Sequence, residues 1–396
     1  MRRYFDNAAT SYPKPPEVTA AVLDYLERVH ASAGRGAYRE ALESRRMLDD
    51  CRTALRTLFH ARPTDQVIFA LNGTDALHLA LRGIVRPGDH VVTTCLDHNS
   101  VLRPLSALET QLGVRWTAVA VDPDTTRLDP ARLASALRDD TRLAVVNHAS
   151  NVTGVLQPLE DIAAVCRARR VLLLVDAAQS AGHVPIDFER LGLDLLACPG
   201  HKGLLGPLGT GVLLIRAGVA DQMSTVREGG TGSESELPVQ PAVLPDRFEA
   251  GSHNAPGLAG LLAAVRWIEG RGLSQLREHE LALSRQLAER LDGIPGLRWF
   301  GPRAVEQRVG VFSVRLAGLA PVELSATLEE HFGILTRSGL HCAPWAHRTI
   351  GTLADGGTTR LSLGPLLTPA DVDAAAAALA AIAHRTGASA PAAAFG

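Results

Sequence analysis

The stretch CPGHKGLLGPLGTG, residues 198–211, holds Lys202, and the only other lysine in the chain is Lys14, although Lys and Arg together number 40. A chain that otherwise draws its cations from arginine has placed an amine in a glycine-rich turn. An amine can lose its proton and condense with an aldehyde to a Schiff base, which a guanidinium cannot do. Other reactive groups stand where apolar runs end. VLLLVDAAQ carries Asp176 and Gln179, HVVTTCLDHNS carries Asp97, His98 and Asn99, and RLAVVNHASN carries His148, Ser150 and Asn151. FALNGTDALHLAL runs through Asn72, Gly73, Thr74 and Asp75 into a helical pattern. Further on, RSGLHCAPWAH places Cys342 in a polar loop beside His341 and near Arg337. A thiol in a loop with cationic neighbours can serve as a thiolate nucleophile.

A Schiff base to pyridoxal phosphate needs three supports beyond the lysine. An acid must pair with the pyridinium nitrogen so that the ring withdraws electrons, and Asp176 fits. A phosphate needs free backbone N–H groups at a helix start, which Gly73, Thr74 and Asp75 supply. A flat side chain must cover the ring, and His98 is placed for it. Arg360, in TTRLSL, can take a substrate carboxylate bidentately. Each residue also has an ordinary structural role, since an Asp after a strand is commonly an N-cap. Their joint order along successive strand ends carries the reading. Rival cofactor motifs are missing: there is no G-x-G-x-x-G after the first strand and no G-x-x-x-x-G-K-[ST]. His341, Cys342 and His347 do not have a standard ligand spacing, so no metal is expected.

These groups need elements to position them. PEVTAAVLDYLERVH (16–30) and roughly 39–60 read as helices. QVIFAL (66–71) reads as a strand and TDALHLALRGIV (74–85) as a helix. HVVTTCL, VRWTAVAV, RLAVVNHA, VLLLVDAA, DLLACP and GTGVLLIR add six strand candidates. They are continuously apolar, as expected for strands covered on both faces. The alternation predicts an α/β domain with a mainly parallel, mixed sheet, whose ligands sit beyond the carboxyl ends of the strands. Residues 218–256 are rich in Gly, Pro and Ser and read as a linker or a long functional loop. The division expected is a large domain over 14–256, a smaller α+β domain from 1–13 and 257–385 carrying the Cys342 loop, and a disordered tail over 386–396.

The chain is 46% hydrophobic with a net charge of −2, which makes no electrostatic case for nucleic acid or an anionic membrane. No signal or membrane-spanning segment is read from it. Five scattered cysteines without a CxxC predict free thiols and a cytoplasmic location, with Cys51, Cys95, Cys166 and Cys198 structural.

From YFDNAATSYPKP through LDHNSVLRPL, HASNVTG, LVDAAQSAG, GHKGLLGPLGTG, GGTGSES, RFEAGSHN and RSGLHCAP to RLSLGPLLT, the chain resembles the class V aminotransferase family, specifically cysteine desulfurases of the SUF-like, group II type. The resemblance implies a fold-type I architecture, pyridoxal phosphate, and a homodimer with composite sites. It implies that Lys202 is the Schiff-base lysine, Asp176 the pyridinium partner, Gln179 the neighbour of the ring hydroxyl and His98 the stacking imidazole. Thr74 and His201 match phosphate contacts, and Gly251 with Ser252 match a segment reaching the partner subunit's phosphate. Asn151 and Arg360 match groups near substrate, and Cys342 matches the cysteine that takes sulfur from L-cysteine and passes it to an acceptor. Selenocysteine lyases, other C–S lyases and epimerases share the fold. Two departures stand out: Pro199, where a hydroxyl residue is frequent, and WAH after HCAP.

Overall fold

The computed structural model describes residues 2–33 and 36–387. The chain opens with β1 (Arg3–Tyr4), α1 (Pro16–Asp24) and α2 (Arg39–Leu58). Strands and helices then alternate through β2 (Gln66–Ala70), α3 (Gly73–Ile84), β3 (His90–Thr94), α4 (Asn99–Leu112), β4 (Arg115–Val119), α5 (Pro130–Ala136), β5 (Thr141–Asn147), α6 (Leu159–Ala168), β6 (Leu172–Asp176), α7 (Phe188–Leu191), β7 (Leu195–Pro199) and β8 (Gly211–Ile215). A long loop leads to α8 (Ala255–Arg271), α9 (Leu273–Asp292), β9 (Leu297–Trp299), β10 (Val311–Leu316), α10 (Pro321–Phe332), β11 (Ile334–Leu335), β12 (Arg337–Gly339), α11 (Pro344–Thr349), β13 (Thr358–Ser362) and α12 (Pro369–Arg385). The tail expected over 386–396 lies, from residue 388 on, outside the described residues.

All seven strand candidates enter one sheet, ordered β2-β8-β7-β6-β5-β3-β4. Only β8 runs against its neighbours, β2 and β7. The carboxyl ends of β2, β3, β5, β6 and β7 therefore share one edge of the sheet. Successive residues of a strand feed opposite faces. In β8, Val212 and Leu214 enter one core and Leu213 and Ile215 the other. That double burial explains the unbroken apolar runs. At the sheet edge, β4 (RWTAV) stays partly exposed.

Residues 216–254 are a loop anchored to this body. Phe248 is buried in one core. The buried Glu249 accepts from Phe69 N–H at 2.6 Å and pairs with Arg52 at 2.6 Å. Helix α8 also belongs here, because Leu258, Leu261, Val265 and Ile268 join the core on the other face. Along α9, Leu273 and Leu276 pack on that core, whereas Leu283, Leu287 and Leu291 enter a third. We therefore propose that the domain boundary falls within α9 rather than at 256.

The third core lies against a second sheet, β12-β13-β10-β9, which is antiparallel throughout. Phe5 lies in it, and β1 pairs in parallel with β11. No helix among the described residues is long and apolar enough to cross a membrane.

Candidate active site

A cavity of about 970 Å³ opens at the shared strand ends, lined among others by Thr74, His98, Asp176, Gln179, His201 and Lys202. Strand β7 delivers Lys202 through a turn whose flanking glycines have no room for a side chain. A Cβ on Gly203 would lie 2.3 Å from the Ala181 carbonyl oxygen, and one on Gly200 would lie 2.2 Å from Thr210 Oγ1. Burial lowers the Lys202 amine to about 8; Asp176 opposes the shift, and Arg360 and Arg337 add to it. Asp176 ends β6, and its Oδ1 accepts the Ala178 N–H at 2.9 Å. Burial raises its carboxyl, against the pull of that N–H and of Lys202.

His98 is the N-cap of α4. Its Nδ1 accepts the Ser100 N–H at 3.0 Å, so the ring proton belongs on Nε2. Burial first, then Lys202 and nearby arginines, lower it to about 4, leaving a neutral imidazole at pH 7. Beneath it, Asp97 bridges strand ends. It accepts from the hydroxyls of Thr93 and Thr94 and from the N–H groups of Thr94 and Asn147. Nothing in the sequence distinguished Asp97 from the other acids at strand ends.

The expectation for the phosphate turn needs one correction. Asn72 caps α3, and its Oδ1 accepts the Asp75 N–H at 2.9 Å. That donor is thus taken by the chain's own cap. The Asp75 carboxylate accepts from Leu71 N–H and pairs with Arg227 at 3.3 Å. Gly73 and Thr74 keep N–H groups at the helix start, where an anion is favoured. Replacing Asn72 by Ala is expected to cost about 1 kcal/mol of stability. Thermal unfolding of the unloaded protein measures this, and an unchanged melting temperature contradicts the cap.

Gln179 lines the cavity with its Nε2 donating to the Ala8 carbonyl at 2.9 Å. His201 Nδ1 is buried without a hydrogen-bond partner. Asn151 donates through Nδ2 to the His341 carbonyl at 2.6 Å. Arg360, on β13, is 1% exposed. It donates to Asp6 Oδ1 at 2.8 Å and to the Asn151 carbonyl at 3.1 Å. Its Nε has no partner. Opposite it in register stands Arg337 on β12. The sequence pointed to Arg337 only as a neighbour of the thiol; the strand pairing places it beside Arg360.

Cys342 is exposed, and Arg337 Nη2 lies 3.8 Å from its sulfur. His341 and Cys342 both adopt left-handed backbone, at φ 49° and 57°. Their side chains differ in fate, since His341 is buried against Thr358. Ser252 is exposed and lines a separate cleft that meets the main cavity at Leu71 and Gly209. The fold does not bring it into its own chain's site.

The donor set suits pyridoxal phosphate. A deprotonatable amine, a buried acid, two N–H groups at a helix start and an unpartnered buried imidazole nitrogen surround one cavity. The model described as Aminotransferase class-V matches residues 3–375. A probable cysteine desulfurase of Methanothermobacter thermautotrophicus is 33% identical over 365 residues, covering 91% of this chain and 89% of that protein. A probable cysteine desulfurase of Pyrococcus abyssi is 34% identical over 346 residues, covering 86% and 84%. The apo structure of a cysteine desulfurase from Thermococcus onnurineus superposes with a TM-score of 0.89 at 31% identity, covering 97% of this chain and 95% of that one.

Proposed function

This chain belongs to the class V aminotransferase family, and we propose that it is a pyridoxal-phosphate-dependent cysteine desulfurase, converting L-cysteine to L-alanine and leaving the sulfur on Cys342. The observation that carries this reading is a buried amine, Lys202, sharing one cavity with Asp176, His98 and His201, in a chain that also exposes a loop thiol, Cys342, beside Arg337. Bound pyridoxal phosphate supplies an electron sink for the carbon skeleton of the substrate.

The chain's own residues then divide the work. The N–H groups of Gly73 and Thr74, with His201, hold the phosphate. Asp176 would pair with the ring nitrogen and keep it protonated, neutral His98 would cover the ring without adding a charge, and Gln179 would serve the ring hydroxyl. Arg360 exchanges Asp6 for the substrate carboxylate, beside Asn151. Lys202 removes the α-proton; an amine lowered to about 8 has a useful unprotonated fraction near neutrality. The Cys342 thiolate attacks the substrate sulfur. An S–S bond forms, the Cβ–S bond breaks with its electron pair going to carbon, that carbon takes a proton, and the proton held by Lys202 returns to Cα. The products are alanine and a persulfide on Cys342, with no external oxidant.

The reading extends to a homodimer, supported by the exposure of Gly251 and Ser252 at the rim of their own cavity. It extends to a thiol or protein that takes sulfur from the exposed Cys342. A reducing, cytoplasmic setting is supported by five free cysteines, of which Cys51 and Cys166 are pushed by burial to about 12.

The test is product analysis with L-cysteine and a thiol reductant. Alanine and sulfide in equal amounts are expected, whereas pyruvate and ammonia would assign the protein to elimination. A pH prediction accompanies it. Only the unprotonated amine captures an aldehyde, and a lowered pKa moves its onset down in pH. Uptake of pyridoxal phosphate by the unloaded protein should therefore accelerate with a midpoint near 8 and then level off. Stopped-flow absorbance reads it, and a rate still climbing towards the ordinary lysine value of 10.5 contradicts it.

A further inference from the structure

The WAH that follows HCAP has no part in the chemistry above, yet its tryptophan makes a contact between distant parts of the fold. Trp345, on α11, stacks on Trp116 of the edge strand β4 with ring centroids 5.3 Å apart and planes at 26°. On the same face of α11, one turn on, Thr349 donates to Cys95 Sγ at 3.2 Å, just beyond β3. The inner face of the helix, Ala343, Ala346 and Ile350, is buried in the core of the large sheet. Helix α11 thus follows a strand of the small sheet but is seated on the large one.

The loop before it needs such anchoring. Two consecutive residues, His341 and Cys342, hold left-handed backbone that L-residues adopt only where the surroundings enforce it. Two hydrogen bonds enforce it from the large domain: Asn99 N–H to the Cys342 carbonyl at 2.8 Å, and Asn151 Nδ2 to the His341 carbonyl at 2.6 Å. Neither constrains the far end of the loop. The tryptophan pair does, because an offset-stacked pair adds directional attraction to the area it buries. We propose that Trp345, stacked on Trp116, is a positioning residue that latches the Cys342 loop to the large domain and fixes the reach of its sulfur over the cavity.

The activity arm of the test rests on the desulfurase reading, and the exchange arm does not. In Trp345→Ala, alanine formation at saturating L-cysteine should fall by roughly 10- to 100-fold, the scale of a misplacement near 1 Å. Exchange of the substrate α-hydrogen with solvent, which needs Lys202 but not Cys342, should stay at the wild-type rate. Trp345→Phe should recover most of the alanine. In the unloaded protein, amide hydrogen exchange over residues 340–350 should rise in Trp345→Ala and not elsewhere. Equal loss of both activities, unchanged alanine formation, or unchanged exchange over the loop overturns the latch. If wild type itself makes no alanine, the desulfurase reading fails and loop exchange alone decides the latch. Should Trp345→Ala not fold, Trp116→Phe and Trp116→Leu decide by the same readouts, with loss expected only in Leu.

Discussion

Cys342→Ala is expected to lose alanine formation from L-cysteine by at least about 10³-fold, the scale on which enzymes lose rate when their nucleophile is removed. The effect should be confined to sulfur transfer. Cys342 stands on the exposed loop after β12, whereas Thr74, His98, Asp176 and Lys202 line the cavity at the strand ends. Pyridoxal phosphate should therefore load as in wild type, and the α-hydrogen of L-cysteine should still exchange with solvent. Labelling with ³⁵S-cysteine followed by non-reducing gel separation reads the persulfide directly. Wild type should carry label that a thiol removes, and the variant none. Label retained at the wild-type level on the variant sinks the assignment of the nucleophile.

Lys202→Ala is the second large effect and should fail one step earlier. Removing a positioned base costs about 10²–10⁴-fold by itself, and here the same amine also holds the cofactor. Both alanine formation and α-hydrogen exchange should vanish together, in contrast to Cys342→Ala. Lys202→Arg should not rescue either, because a guanidinium stays charged and cannot form the Schiff base. This substitution isolates the chemistry from the charge, since it preserves the cation near Asp176. Measurable α-hydrogen exchange in Lys202→Arg would show that another group is the base.

Much of this site could be read along the chain. Strands β5, β6 and β7 are covered on both faces, so their sequences are unbroken apolar runs, and a polar residue ending such a run marks the ligand edge of the sheet. Asp176 ends β6 in that way, Lys202 follows β7, His98 follows β3, and all three line one cavity. Rarity helped with Lys202, because lysine is nearly absent from the chain. Other assignments were less complete for identifiable reasons. The amide of Asp75 looked free because a helix start offers several donors, yet Asn72 claims one of them. The composition of residues 218–256 left open a linker or a long functional loop, because composition does not report that Phe248 and Glu249 are buried. The boundary proposed within α9 instead of after 256 rests on the apolar face of α8, whose packing on the large sheet composition does not report.

The chain by itself determined which chemistries are available: an amine in a glycine-rich turn able to form a Schiff base, a loop thiol, an acid and an imidazole at strand ends, and a helix start for an anion. These are properties of side-chain type and short-range spacing. Only the tertiary structure decided how the groups are charged and what they already hold. Arg360 meets Asp6 across a separation of 354 residues. His98 is neutral because burial and cations from three other segments act on it together. Lys202 is lowered to about 8 by the loss of water around it, moderated by Asp176. Desolvation and charge–charge interaction depend on what surrounds a group in space, and no stretch of sequence around it contains that information.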